Sequence, residues 1–290
     1  MSFTKSNSQE DYYNKWLNQK INRLTPFEID RTKISNGIVI PRLKCLCECG
    51  TVKYVSATHL VNGYIQSCGC AIKRYDVNEN FFTTPNVVNS YWAGFIAADG
   101  CIITNGSNHR LNLRVKLALK DIIILEKLKH DIEYTGVVES YKEKSLGKLW
   151  DKVRLSICSH KICEDLIQNF NVTQRKTYTL QPPPNLNNDE TLAYIAGYID
   201  GDGSISITKE NYPCIQVHGT KAIVTWISQI IKQTLNFAKI GGFNKRPNEK
   251  VHSYRFKGTN VIKFAQHIFS IKEIQSRLLE RKWDKLRCYV

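Results

Sequence analysis

The sequence predicts an α+β protein made of two similar halves behind a small cysteine-rich module. Three observations carry this. A run of small and apolar residues ending in Asp-Gly occurs twice, at 91–102 (YWAGFIAADGCI) and 194–205 (YIAGYIDGDGSI). Strand-like and helix-like patterns follow each run in the same order. Ahead of both, five of the ten cysteines fall between positions 45 and 70.

Each run reads as a short helix that enters a strand through a glycine turn. Glycine inside a helix costs about 1 kcal/mol relative to alanine. Gly94, Gly197 and Gly201 therefore need a reason, and close approach of two helix backbones is the usual one. Gly94 matches Gly197, Gly100 matches Gly203, and Asp99 matches Asp202, 103 positions later. The inner acid is not shared, because Ala97 stands where Asp200 stands. If the helices pack side by side and parallel, Asp99 and Asp202 end next to each other. Carboxylates so close repel unless divalent cations sit between them, which is a two-metal arrangement suited to phosphodiester chemistry.

The chain has 290 residues, with 41 Lys and Arg against 26 Asp and Glu, a formal charge of +15. A field of that sign favours a polyanionic partner. No run of about 18 apolar residues predicts a membrane span. The segment MSFTKSNSQEDYYNKW lacks the apolar stretch of a secretory signal. The expectation is an intracellular, reducing compartment, where clustered cysteines bind metal more often than they form disulfides.

Residues 8–24 read as an amphipathic helix, with Tyr12, Tyr13, Trp16, Leu17 and Ile21 near one side. Residues 37–41 and 42–55 read as strands or a hairpin. The cysteines form two clusters, CLCECG and SCGC, with 18 residues between Cys49 and Cys68. This spacing is of the type that presents four thiolates to one tetrahedral Zn2+. Cys45, Cys47, Cys49, Cys68 and Cys70 supply one thiol too many. Cys47 and Cys49 with the second pair are favoured, although all three of the first cluster would share a face if extended. Arg42, Lys44, Lys53, Lys73 and Arg74 are near enough in sequence to reach phosphates.

In the first half, Asn89 or Ser90 is a helix cap for the first run. Residues 110–119 alternate with period two, placing Arg110, Asn112, Arg114 and Lys116 on one face and Leu111, Leu113, Val115 and Leu117 on the other. Lys152, Arg154 and Ser156 repeat this on a smaller scale. Helices are expected at 121–132, capped by Asp121, and at 160–170. The proline-rich stretch QPPPNLNNDE (181–190) is a stiff connection. In the second half Thr191 starts the motif helix. Strands follow at 204–209 and 214–218, then a helix at 220–235, a strand region at 239–245, a strand at 252–257, and helices at 259–269 and 273–286. This repeats the first half. Ser206, Thr208, Gln216, His218, Lys245, Arg246, Arg255 and Lys257 are candidates for base or phosphate contact, since Arg can pair with guanine, Gln with adenine, and Lys with phosphate.

The two runs resemble the paired motifs of the LAGLIDADG homing endonucleases in their single-chain, two-repeat form, over roughly residues 81–286. The resemblance implies two pseudo-symmetric αββαββα repeats, residues 81–184 and 185–290, whose antiparallel sheets form a saddle over DNA. It implies that Asp99 and Asp202 hold the catalytic Mg2+, and that a basic residue stabilises charge at the scissile phosphate. Lys176 best matches that place, with Arg175 as its neighbour. The second such residue stays open among Lys272, Gln275 and Arg277. Residues 1–80, with Cys45–Gly50 and Ser67–Cys70, resemble a zinc-binding module found at the N-terminus of phage and mobile-element endonucleases, which implies an accessory DNA contact. The implied activity is metal-dependent, site-specific cleavage of both strands of DNA at a long asymmetric target, by a monomer. Two other readings are an RNA maturase acting on its host intron and a DNA-binding regulator that does not cleave. RNA recognition would favour exposed aromatic residues, and the outward strand positions are mostly Arg, Lys, Asn and Ser.

Overall fold

The computed structural model describes residues 11–32, 34–35, 37–70, 75–105, 110–236, 242–244 and 251–290. It divides into two compact units, Met1–Arg74 and Tyr75–Val290. The two repeats share the second unit.

In the first unit the expected long helix at 8–24 is absent among the described residues. One helical turn at 11–14 gives way to turns, and Leu24 already begins a strand. Asn18 and Asn22 lie in the left-handed region, which breaks a helix there. The strands β1 (Leu24–Asp30), β4 (Arg42–Cys47) and β5 (Val52–Val55) form an antiparallel sheet in the order β1-β4-β5. A small ribbon of β2 (Ile34–Ser35) and β3 (Ile38–Val39) lies between β1 and β4 in sequence, and the short helix α1 (Ala57–Val61) follows β5. Among the described residues the fully buried core is small, Leu24, Leu43, Cys45, Cys47, Val55, Ala57 and Leu60, with partly buried residues such as Tyr12, Trp16, Ile29 and Ile65 packed against it. A core that small leaves a unit dependent on some further source of stability.

The second unit is built twice. The first motif helix α2 (Val87–Asp99) leads into β6 (Gly100–Asn105) and β7 (Arg110–Ala118). Helix α3 (Ile122–Asp131), the hairpin β8 (Glu139–Ser145) and β9 (Lys148–Ile157), and helix α4 (His160–Phe170) complete the repeat. The second motif helix α5 (Asn188–Asp202) opens the same series: β10 (Gly203–Ile207), β11 (Pro213–Gly219), α6 (Lys221–Leu235), β12 (Gly242–Asn244), β13 (His252–Lys257) and α7 (Thr259–Ser270). The sheets have matching antiparallel orders, β6-β7-β9-β8 and β10-β11-β13-β12. This is the two-repeat αββαββα arrangement that the sequence leads one to expect.

Several boundaries differ from expectation. Asn86, not Asn89 or Ser90, caps α2: Asn86 accepts from the Asn89 N–H while the Asn89 side chain accepts from the Asn86 N–H. Asn187 and Glu190 form the same reciprocal cap on α5, so that helix starts before Thr191. Asp121 makes no capping bond to α3, because Arg281 occupies both its oxygens at 2.6 and 2.8 Å. The last helix is two pieces, α8 (Lys272–Gln275) and α9 (Glu280–Arg287). The strand β8 is polar and mostly exposed, so its sequence carries no apolar alternation to announce it.

Candidate active site

The two motif helices touch backbone to backbone. A Cβ built on Gly94 would lie 1.9 Å from the Tyr194 carbonyl oxygen, and one on Gly197 would lie 1.9 Å from that of Tyr91. Only hydrogen fits at these two places. A Cβ on Gly201 would fall 2.2 Å from the Ala98 Cβ and 3.4 Å from Oδ2 of Asp99. Contacts therefore advance together along both helices, which run parallel and bring Asp99 and Asp202 to one end of the seam.

Asp99 is half-buried and Asp202 keeps one side open to solvent. Burial pushes the Asp99 carboxyl up to about 6, and the charge of Asp202 adds to the rise. Burial also raises Asp202, against the opposing charges of Lys176, Lys282 and His218.

Lys176 stands where the sequence reading puts a cation. Its Nζ donates to the Ala98 carbonyl oxygen at 2.9 Å, one residue ahead of Asp99. It begins a short 3-10 turn, Lys176–Tyr178, after Arg175 at φ +55°. Lys176, Tyr198, Asp202, His218 and Thr220 help line a depression of about 280 Å³. A further lysine outside the expected set, Lys282, lies at the end of α5. The Lys282 Nζ donates to the carbonyls of Ile199, Asp200, Gly201 and Gly203 at 2.9, 2.7, 3.2 and 2.7 Å. Burial lowers the pKa of both lysines, and the neighbouring acids pull it back up. A shift of 103 from position 176 lands on Leu279, so a three-residue slip in the repeat hid Lys282.

The inner acid of the second run has its own role. Asp200 is fully buried and accepts from the Tyr91 hydroxyl (2.7 Å), the Trp283 indole (2.8 Å) and the Leu279 N–H (3.0 Å). The Leu279 and Trp283 bonds hold the segment that carries Lys282, and the Tyr91 bond ties Asp200 to α2. Burial raises the Asp200 carboxyl to about 6 despite the three bonds. Ala97 fills the matching place in the first repeat. The matching tyrosine, Tyr194, has a buried hydroxyl with no hydrogen-bond partner among the described residues.

The sheet residues divide unevenly. Gln216 and Arg255 are cross-strand partners, and Arg255 donates to the Gln216 Oε1 at 2.6 and 3.0 Å. Arg154 is bound to Glu139, and Lys116 lies 3.6 Å from Glu143. The Nε of Arg114 is buried without a partner among the described residues. Ser206 is exposed on β10 and Lys257 on β13. His218 is exposed on β11 beside Asp202 rather than out on the sheet. Asn112 departs from expectation: it is 6 % exposed, so it meets protein rather than an open face. Thr208 lies past the end of β10, where its hydroxyl accepts from the Tyr212 N–H and closes a turn. The side chain of Arg110 and all of Lys245 and Arg246 lie outside the described residues.

In the N-terminal unit Cys47, Cys49, Cys68 and Cys70 place their sulfurs within 4.8 Å of one another. Zn–S bonds of about 2.3 Å in a tetrahedron put sulfurs about 3.8 Å apart, and the set brackets that spacing. Cys47 approaches Cys70 at 3.6 Å, and Cys49 approaches Cys68 at 3.3 Å. Hydrogen bonds from Thr51 draw the Cys49 thiol down to about 6, while the other thiols hold Cys70 up to about 12. Cys45 is the spare. It is fully buried in the small core, and burial raises it to about 11.

No family model matches the chain, and no curated protein matches it. Among solved structures it is similar to the homing endonuclease I-WcaI bound to its DNA recognition sequence, at 16 % identity and a TM-score of 0.48, covering 70 % of this chain and 88 % of that one. It is also similar to the meganuclease I-SmaMI bound to uncleaveable DNA, at 14 % identity and a TM-score of 0.43, covering 63 % and 83 %. A third likeness is to the N-terminal LAGLIDADG domain of DUF199/WhiA, at 15 % identity and a TM-score of 0.41, covering 66 % and 89 %.

Proposed function

We propose that the protein is a metal-dependent DNA endonuclease that cuts both strands of a specific, asymmetric target. One observation carries this: two equivalent carboxyls, Asp99 and Asp202, meet at the end of a helix seam with Lys176 beside them. Bound Mg2+ would lower the pKa of an attacking water and stabilise charge on the phosphate. Asp99 and Asp202 would hold the ion in place. Lys176 would offer hydrogen bonds to the phosphate as negative charge builds on its oxygens. Arg114, Lys116, Arg154, Gln216, Arg255 and Lys257 would orient the duplex, with the two unlike sheets reading unlike half-sites. Cys47, Cys49, Cys68 and Cys70 would hold a structural Zn2+. The chain holds both acids itself, so a monomer suffices.

The test is a cleavage screen against a randomised duplex library with Mg2+, with Ca2+ as the control. Asp99→Asn and Asp202→Asn should each reduce double-strand cleavage by at least about 10³-fold while DNA binding persists. Either variant cutting both strands at the wild-type rate would refute the catalytic role. Binding without cleavage by the unaltered chain would favour the regulator reading.

A further inference from the structure

The hairpin of β8 and β9 ends in a feature that folding does not require. Ser145 pairs with Lys148, so the loop is two residues, Leu146 and Gly147. Both have positive φ, +50° and +76°. That is the pattern of a type I′ turn, in which Asn or Asp usually stands first because most L side chains are strained there. Leu146 is also 100 % exposed, so no packing offsets the strain. A leucine here is disfavoured by its backbone and again by its contact with water, which points to a use at the tip itself.

The ribbon behind the tip is open on both sides. Alternate residues of β9 are buried only from Val153 onward. Leu149 is 66 % exposed and Trp150 52 % exposed, so with Leu146 they make a contiguous apolar end. Lys142, Lys144 and Lys148 flank it and are exposed. Side chains alternate along a strand, so Trp150 shares its face with Lys152 and Arg154. The sheet order β6-β7-β9-β8 sets this ribbon three strands from β6, the strand that follows Asp99.

We propose that the tip is a wedge for duplex DNA. Leu146, backed by Trp150, enters between two base pairs toward the outer end of the half-site met by the first sheet. The flanking lysines hold phosphates on either side. This rests on the DNA-binding part of the nuclease reading. An anionic membrane is the rival occupant; the continuity of Trp150 with Lys152 and Arg154 on one strand face favours DNA. A leucine side chain offers no hydrogen bond, so it reads no base edge. It selects a step that unstacks easily, and pyrimidine–purine steps do so most readily.

The experiment uses the full chain and a duplex selected from the randomised library for tight binding in Ca2+, so the choice of duplex does not depend on cutting. A fluorescent adenine analogue that brightens on unstacking is placed at each step in turn, and labels on the two ends report bending. With the unaltered chain one TA or CA/TG step in the outer part of one half-site should brighten, and the duplex should bend by about 20° or more. Leu146→Asn suits the turn, so its melting temperature should hold or rise. It should abolish the brightening and weaken binding about 10-fold, while the single-turnover cutting rate at saturating protein stays within about twofold. Leu146→Met should keep the brightening. Lys148→Gln should weaken binding and its salt dependence without dimming the step. No bright step with the unaltered chain, or a Leu146→Asn variant that binds and brightens as before, would overturn the wedge and leave the nuclease reading intact. A Leu146→Asn variant that loses binding to phosphatidylserine vesicles and keeps its DNA binding would assign the tip to a membrane and overturn the wedge too. Binding and brightening with no cutting in Mg2+ would sustain the wedge and overturn the nuclease reading.

Discussion

Tyr91 and Tyr194 occupy matching places in the two motif helices, and their hydroxyls meet opposite fates. Tyr91 donates to the buried Asp200, whereas Tyr194 faces the half in which that acid is Ala97 and stays without a partner among the described residues. Removing a hydroxyl that is bonded leaves a buried acceptor short, and removing one that is not relieves a desolvation cost. Tyr91→Phe should therefore destabilise the fold by about 1.5–3 kcal/mol in urea unfolding. Tyr194→Phe should be neutral or stabilise it by up to about 1 kcal/mol. Equal losses from the two variants would contradict this account. The unmatched acid was visible in the alignment of the two runs. Its consequence was not, because it depends on which side chains surround it.

At the scale of elements, the parallel seam of α2 and α5 decides whether a site exists. Its glycines are there for contact, since neither Gly94 nor Gly197 has a positive φ. Gly94→Ala would set a methyl carbon 1.9 Å from a main-chain oxygen that cannot rotate away. The expected cost is about 3 kcal/mol or more, above the usual range for overpacking, with loss of cleavage even at temperatures where the variant stays folded. Circular dichroism melting together with the cleavage assay would check both parts. Runs at helical spacing and period-two strands were readable because they bury one face. The polar hairpin strand β8 buries little, and α8 and α9 are separate because Arg277 and Arg281 are drawn to acids of the other repeat.

Across the whole molecule, two cation-dependent stabilities should be separable. Among the described residues the N-terminal unit has a small buried core, so metal held at its cysteines would be folding free energy for that unit. Cys49→Ser should abolish bound zinc by elemental analysis and make residues 1–74 sensitive to protease, while Cys45→Ser should retain one ion per chain. At the seam the sign follows from the carboxyl pKa values. Asp99 and Asp200 both stand at about 6, above the unfolded value near 4. The folded state thus holds protons that the unfolded state has lost. Stability from these groups is present at low pH and is lost as pH rises from about 4 through 6. A divalent cation held by the carboxylate pair would replace the proton at Asp99. Ca2+ should therefore raise the melting temperature at pH 7.5 and have much less effect at pH 5; an equal shift at both would argue against an ion held there.

The sequence by itself determined the duplicated architecture, the pairing of Asp99 with Asp202, and the two cysteine clusters. Each rests on local spacing, and spacing survives in a one-dimensional string. Only the tertiary structure decided that Cys45 is core and stands apart from the four clustered thiols, that Asn112 is covered, and that Lys282 is bound to four carbonyls at the end of α5. Those outcomes depend on what packs against a residue from a hundred or more positions away, and burial and hydrogen-bond partnership of that kind are set by the assembled fold.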